Sequence, residues 1–200
     1  VIPKSGQLTD LYAFDTGPGN MIIDEIAMRL YGVPYDQNGQ WAREGNICYP
    51  LLEGLLMDNY IEEPPPKTTG RERYGQAFVN RLFKEWGHLP PNDLIATATM
   101  FTVKSIARNY EKFILNNDRV EEMIVSGGGS HNQTLMTWLQ RSLPHLQVKT
   151  IEDYGMSSDA KEAVAFAILA NEMLNKRPAN VPSATGAEKF IVLGNLTPFY

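Results

Sequence analysis

Apolar residues at Ile22, Ile23, Ile26, Ala27 and Leu30 recur at the spacing of a helix face, and the pattern predicts a helix over 19–30. Leu51, Leu52, Leu55 and Leu56 mark a second over 47–59, which stops near the proline triplet at 64–66. Thr69 and Glu72 have capping-box spacing and predict a third helix from there to Trp86. The next, over 92–115, is long. Its apolar and small residues (Leu94, Ile95, Ala98, Phe101, Ile106, Phe113) spread over more than one face, which predicts burial on two sides. Ahead of all these, LYAFD (11–15) alternates weakly and reads as a short strand, and YGVPYDQNGQ (31–40) is turn chemistry.

The rhythm then changes. VEEMIVS (120–126) reads as a strand, SGGGS as a tight turn, HNQTLMTWLQRSL as a helix and LQVKTI (146–151) as a second strand. An Ala-rich helix over 159–175 follows, with alanines at 160, 163, 165, 167 and 170 that permit close packing on a sheet. A surface loop over 178–186 leads to a closing strand, FIVLG (190–194). Strand, glycine turn, helix, strand, helix is the order of an α/β layer with a parallel pair. The expected sheet is small, three or four strands, and its edges must be paired or covered. With the first strand so near the start, the pattern fits a C-terminal half better than a complete protein.

Composition narrows the partners. The 43% hydrophobic and 20% charged fractions are those of an ordinary globular protein. A net charge of −5 argues against nucleic acid or an anionic membrane surface. No apolar run approaches the ~20 residues of a membrane span, and VIPKSGQLTD lacks a signal-peptide core. A single cysteine, Cys48, points to a reducing cytoplasm, and with three scattered histidines it makes a structural zinc site improbable.

Four stretches have the residues for chemistry. FDTGPGN (14–20) ends an apolar run with an acid before a Gly-Pro-Gly turn. Asp15 or Thr16 there either ties down the turn, or Asp15 points into the crevice at a strand's carboxyl end, able to accept a proton or hold Mg²⁺. Gly17 and Gly19 would leave the backbone open to a ligand. SGGGSHN (126–132) is neither a Walker A loop nor GxGxxG. A Ser130-x-x-Gln133 capping box explains part of it, and close approach of a nucleotide would explain the three glycines. In DYGMSSDAKEAVAFAILA (153–170), Asp159 and Glu162 have capping-box spacing, which could be Glu162's whole role. PPPKTTGRE (64–72) places Lys67 and Arg71 beside a helix start, where an anionic group could sit or a solvated cap could form. His131 is the histidine inside a candidate site, while Cys48 and the three tryptophans read as packing residues.

Taken together, FDTGPGN with MIIDEIAMRLYG after it, YDQNGQWAREG, PPPKTTGRE, SGGGSHNQTLM, the 153–170 stretch and NVPSATGA…VLGNLTP resemble the anhydro-N-acetylmuramic acid kinases, in order and over nearly the whole chain. The resemblance implies a ribonuclease-H-like domain of the actin-like ATPase and sugar kinase superfamily, with a small mixed sheet and flanking helices. It implies an enzyme that uses ATP and Mg²⁺ to open the 1,6-anhydro bridge with water and phosphorylate the 6-oxygen, in peptidoglycan recycling. Asp15 then stands as catalytic base and Glu162 as a second acid near sugar and metal. Both are expected Mg²⁺ ligands. Gly127, Gly128, Gly129 and Asn132 match the nucleotide loop, and Gly17, Asn20, Lys67 and Arg71 are expected to line the substrate site.

Members of that family are nearly twice as long, and the loop that grips the ATP phosphates lies in their first half. Residues 1–200 are therefore expected to be the C-terminal domain, weak in nucleotide binding and inactive alone, with an N-terminal half as partner and a homodimer possible. Two other readings stand beside it: a levoglucosan-type kinase, and a non-catalytic nucleotide-binding module derived from such a kinase.

Overall fold

Two prolines, Pro90 and Pro91, open the longest element, a 23-residue helix over Pro91–Phe113. Proline suits a first helical position, whose N–H has no partner within the helix anyway. At 1.5 Å per residue the helix is about 35 Å long, and the other elements gather round it. The computed structural model describes residues 1–115 and 120–197; Pro198, at the end of VLGNLTP, lies outside them. Among these residues the helices are α1 (Met21–Tyr31), α2 (Gln40–Glu44), α3 (Tyr49–Leu56), α4 (Asn59–Glu62), α5 (Arg71–Tyr74), α6 (Gln76–Trp86), α7 (Pro91–Phe113), α8 (Gln133–Ser142), α9 (Lys161–Leu174) and α10 (Pro182–Thr185). The strands are β1 (Glu122–Val125) and β2 (Gln147–Thr150).

The core is helical. α1, α2, α3, α4 and α8 all pack against α7. Ile22, Ile23 and Ile26 of α1 are buried with Leu94, Ile95 and Phe101 of α7, and each such side chain contributes about 1.5–3 kcal/mol by leaving water. The predicted burial of α7 on more than one side holds: Leu94 to Thr99 are all buried, as are Phe101, Thr102, Val103, Ser105, Ala107, Asn109 and Tyr110. α1 runs one residue past its expected end at Leu30, to Tyr31, and Gly32 closes it with a left-handed φ of 69° that lets its N–H reach Met28 O.

β1 and β2 pair in parallel, Glu122 opposite Gln147 and Val125 opposite Thr150. α8 makes the crossover that a parallel pair requires, and its Leu135 and Leu139 are buried. An α/β layer is therefore present, but the sheet is parallel rather than mixed and has two strands among the described residues. Residues 11–15 run extended without a ladder. Their backbone ties include Tyr12 N–H to Val1 O, the Val1 amino group to Tyr12 O, and Asp15 N–H to Lys67 O. Residues 190–194 also form no strand.

Three helix expectations change. The segment over 47–59 divides into α3 and α4, because Asp58 turns extended and caps α4 by accepting from Tyr60 N–H at 3.1 Å. The helix expected from Thr69 to Trp86 breaks at Gly75, which has ψ −155° and starts α6 afresh. The 69–72 capping box does not form, since Gly70 occupies the N-cap of α5. Finally, α9 has no buried residue: Phe166 is 71% and Ile168 56% exposed. The close packing expected of its alanines is absent among the described residues.

Candidate active site

Asp15 follows the extended segment and is held from both sides of its own backbone. Its N–H donates to Lys67 O at 3.1 Å, and its carbonyl accepts from Tyr60 Oη at 3.0 Å. The carboxylate is exposed, with Oδ2 accepting from Thr68 Oγ1 at 2.8 Å and from Thr69 N–H at 2.9 Å. Thr69, expected as the N-cap of a helix, thus gives its N–H to Asp15 instead. Both donors fall on one oxygen, and Oδ1 has no protein donor among the described residues.

The turn after Asp15 lies on α7. Thr102 Oγ1 donates to Gly19 O at 2.7 Å, and Asn109 Nδ2 donates to Thr16 O at 3.1 Å. Gly17 touches the same helix, and a Cβ there would lie 2.7 Å from Ser105 Oγ. Gly17 is needed for this close packing, a reading that the sequence did not suggest.

Asn20 begins α1 and faces the glycine turn. Cβ atoms placed on Gly128 and Gly129 would come within 3.5 and 3.4 Å of its side-chain amide. Gly127 has φ +82°, which favours glycine. Backbone conformation thus accounts for glycine at 127, while at 128 and 129 a Cβ would make only ordinary contact with Asn20, so packing does not require glycine there. The capping box expected of Ser130 and Gln133 is replaced. Asn132 caps α8, its Oδ1 accepting from Leu135 N–H at 2.9 Å, while Ser130 Oγ donates to Gly127 O at 2.8 Å. The Asp159–Glu162 box is also absent: Ala160 is the N-cap of α9 and makes no side-chain cap. Asp159 Oδ1 instead lies 3.5 Å from His131 Nε2.

A cavity of about 470 Å³ opens here, lined by Asn20, Asp24, Gly128, His131, Asn132 and Asp159 among others. A second, about 860 Å³, shares Asn20 and Asp24 and reaches Arg71. The site residues expected from the sequence thus gather in two groups, Asn20 with Gly128, Asn132 and Arg71, and Asp15 with the 67–69 loop. Glu162 stands exposed in the first turn of α9. The neighbouring Lys161 Nζ donates to Ser126 Oγ at 3.0 Å, joining that turn to the start of the glycine loop.

The whole-chain comparison decides the family. Residues 6–199 match the model of the anhydro-N-acetylmuramic acid kinase family. The chain belongs to that family. Among curated relatives, the anhydro-N-acetylmuramic acid kinase of Clostridioides difficile (strain 630) is 48% identical over 198 residues, covering 99% of this chain and 52% of that protein. Those of Bacillus thuringiensis subsp. konkukian (strain 97-27) and Bacillus cereus (strain 03BB102) are each 47% identical over 199 residues, covering 98% of this chain and 52% of theirs. The chain spans about half the length of the curated relatives it matches.

In this member of the anhydro-N-acetylmuramic acid kinase family, electrostatics distinguishes three groups around the site. Lys67 Nζ donates to Tyr60 O at 3.0 Å and Ile61 O at 3.3 Å, and lies 4.9 Å from the Tyr60 ring centre and 5.1 Å from that of Phe113. Burial, with the charge of Lys112, lowers its pKa, against the opposing pull of Glu63 and Glu62. Its ammonium is engaged by the protein, while its chain lines a third cavity, of about 780 Å³, with Thr68, Ser183 and Thr185. Burial, then the Asp15 and Glu63 charges, pushes the Tyr60 hydroxyl up to about 12, so it stays a donor to the Asp15 carbonyl. Asp24, which the sequence reading passed over, is raised to about 6 by burial, with Arg71 pulling the other way. Its position one turn after Asn20 was the available signal, since i and i+4 share a helix face.

Proposed function

We propose that this chain is the Asp15-bearing half of an ATP-dependent kinase that acts on 1,6-anhydro-N-acetylmuramic acid. Water adds to the anomeric carbon, the bridge C–O bond breaks, and the released 6-oxygen takes the γ-phosphoryl group of ATP. The products are N-acetylmuramic acid 6-phosphate and ADP. The observation that carries this reading is the clamped carboxylate of Asp15, fixed through Oδ2 and, among the described residues, without a donor at Oδ1, within a chain of this family.

Asp15 accepts the proton of the attacking water at Oδ1, and Thr68 and Thr69 hold the carboxylate plane while it does so. Gly127, Gly128, Gly129 and Asn132 form the loop that the nucleotide approaches. Gly17, Asn20 and Arg71 line the sugar and phosphate side, joined by the stem of Lys67. Among the described residues no three of His, Cys, Asp and Glu gather as a metal site. Mg²⁺ in kinases needs only one or two carboxylates beside phosphate oxygens, and Glu162 would supply one, Asp15 being committed through Oδ2 to Thr68 and Thr69 and through Oδ1 to the water; when bound, the ion neutralises charge on the transferred phosphoryl group.

The finer architecture follows from the same reading. Residues 1–200 form the C-terminal ribonuclease-H-like domain of an actin-like pair, and the phosphate-gripping loop belongs to the N-terminal half that pairs with it. The whole enzyme works in the cytoplasm, a homodimer is one assembly open to it, and residues 1–200 alone do not turn over.

The test uses the protein comprising both halves. It phosphorylates anhydro-N-acetylmuramic acid with ATP and Mg²⁺ in preference to levoglucosan, which lacks the groups such a site would recognise. Asp15→Asn lowers kcat about 10²–10⁴-fold, the range for loss of a general base, with unfolding unchanged. Near wild-type turnover in Asp15→Asn, or a preference for levoglucosan, would overturn the reading.

A further inference from the structure

Thr102, Ser105 and Asn109 are polar, buried and on one face of α7, at spacings of three and four residues. A buried helix face is normally apolar, because a polar side chain taken from water needs hydrogen bonds in return. All three side chains act on the Asp15 turn or on one another. Thr102 Oγ1 donates to Gly19 O at 2.7 Å, and Asn109 Nδ2 donates to Thr16 O at 3.1 Å and Ser105 O at 2.9 Å. Ser105 Oγ donates to Thr102 O at 2.9 Å and stands against Gly17. Carbonyls in an irregular turn have no ladder to satisfy them, and these two receive their donors from α7. Asn109 Oδ1 is buried without a partner among the described residues. A leucine would avoid that penalty, so packing alone does not account for the amide.

We propose that Thr102 and Asn109 are positioning residues for the reaction, fixing the Thr16 and Gly19 carbonyls so that the turn presents the Asp15 carboxylate at a set height above α7. The inference rests on the assignment of Asp15 as base. Asn109 holds the carbonyl of Thr16, the residue that follows Asp15, while Lys67 O and Tyr60 Oη fix the peptide groups of Asp15 itself. The carboxylate's place is therefore set from three elements, and α7 is the one that no motif in the sequence singles out.

Thr102→Val and Thr102→Ser provide the test, since valine keeps the shape without the hydroxyl and serine keeps the hydroxyl. In the protein comprising both halves, Thr102→Val lowers kcat about tenfold or more, with KM for ATP changed less than about threefold, the pattern of misplaced chemistry rather than lost binding. Thr102→Ser retains kcat. Hydrogen exchange at residues 16–20, measured on the same proteins, is faster in the valine variant and unchanged in the serine variant. Asn109→Leu gives the larger loss of kcat, about 10²-fold. Wild-type kcat in Thr102→Val, or equal loss in Thr102→Val and Thr102→Ser, would overturn the proposal. If the wild-type protein has no kinase activity, the assignment of Asp15 fails instead. The exchange measurement then decides the turn's dependence on α7, and equal exchange in all variants overturns it.

Discussion

Asp24 is an acid in an environment that favours its neutral form. Burial raises its pKa from 3.8 to about 6, against the partial relief of Arg71. Between those two values the folded protein holds a proton that the unfolded chain has released, so stability falls as pH rises through that window. Asp24→Asn removes the dependence. The variant is expected to match the wild type near pH 4 and to exceed it in urea midpoint at pH 7, with equal midpoints at both values counting against the buried charge. The same residue shows what a sequence conceals at this scale. Asp15 is legible because an acid interrupts an apolar run before a glycine turn. Asp24 is not, because a polar residue within an amphipathic helix has the same pattern whether it meets water or a cavity. Lys67 errs the other way: it reads as an anion-binding cation, yet its ammonium is turned onto two carbonyls.

Among elements, strongly periodic segments were legible and short or capped ones were not. α1, α7 and α8 lie within two residues of expectation at most boundaries, since each carries an apolar stripe over ten or more residues. α2 has five residues, too few for a stripe, and owes its place to Asp36, which accepts from Trp41 and Ala42 N–H at 3.0 Å. Three sequence-level capping boxes, at Thr69, Ser130 and Asp159, all failed; the box that forms joins Thr150 and Asp153. The motif needs only two common residues three apart, so spacing alone cannot say where a helix begins. Gly39 shows the constraint that does fix one of these ends. It has φ +67°, a Cβ there would lie 2.1 Å from Asn132 Oδ1, and its carbonyl accepts from Thr134 Oγ1 at 2.6 Å. Gly39→Ala is expected to cost about 2–4 kcal/mol, from left-handed strain together with overpacking. Chemical denaturation measures it, and a loss below about 0.5 kcal/mol would mean that α8 does not depend on this contact.

For the molecule as a whole, the helical core was readable and the outer layer was not. A sequence shows which helices have apolar faces, but not whether a neighbour is there to cover them. α9 carries Val164, Phe166, Ile168 and Leu174 exposed, and exposed apolar patches promote association. Residues 1–200 alone are expected to self-associate in sedimentation velocity. Phe166→Ser should reduce that association while shifting stability by no more than about 0.5 kcal/mol, as for other surface changes. A loss of several kcal/mol would mean that Phe166 is packed in solution.

α7 has one further consequence, for how freely its sequence can drift. Its buried positions include Thr97, Thr99, Thr102, Ser105 and Asn109 beside Ile95 and Phe101, so it lacks the clean hydropathy contrast that marks a core helix. Thr97, Thr102 and Asn109 admit little exchange because each holds backbone that belongs to another element, and Ser105 because it is enclosed against Gly17. Saturation mutagenesis would therefore find the fewest accepted substitutions in a helix of middling hydropathy, and the most in α9, the apolar helix that no described residue encloses.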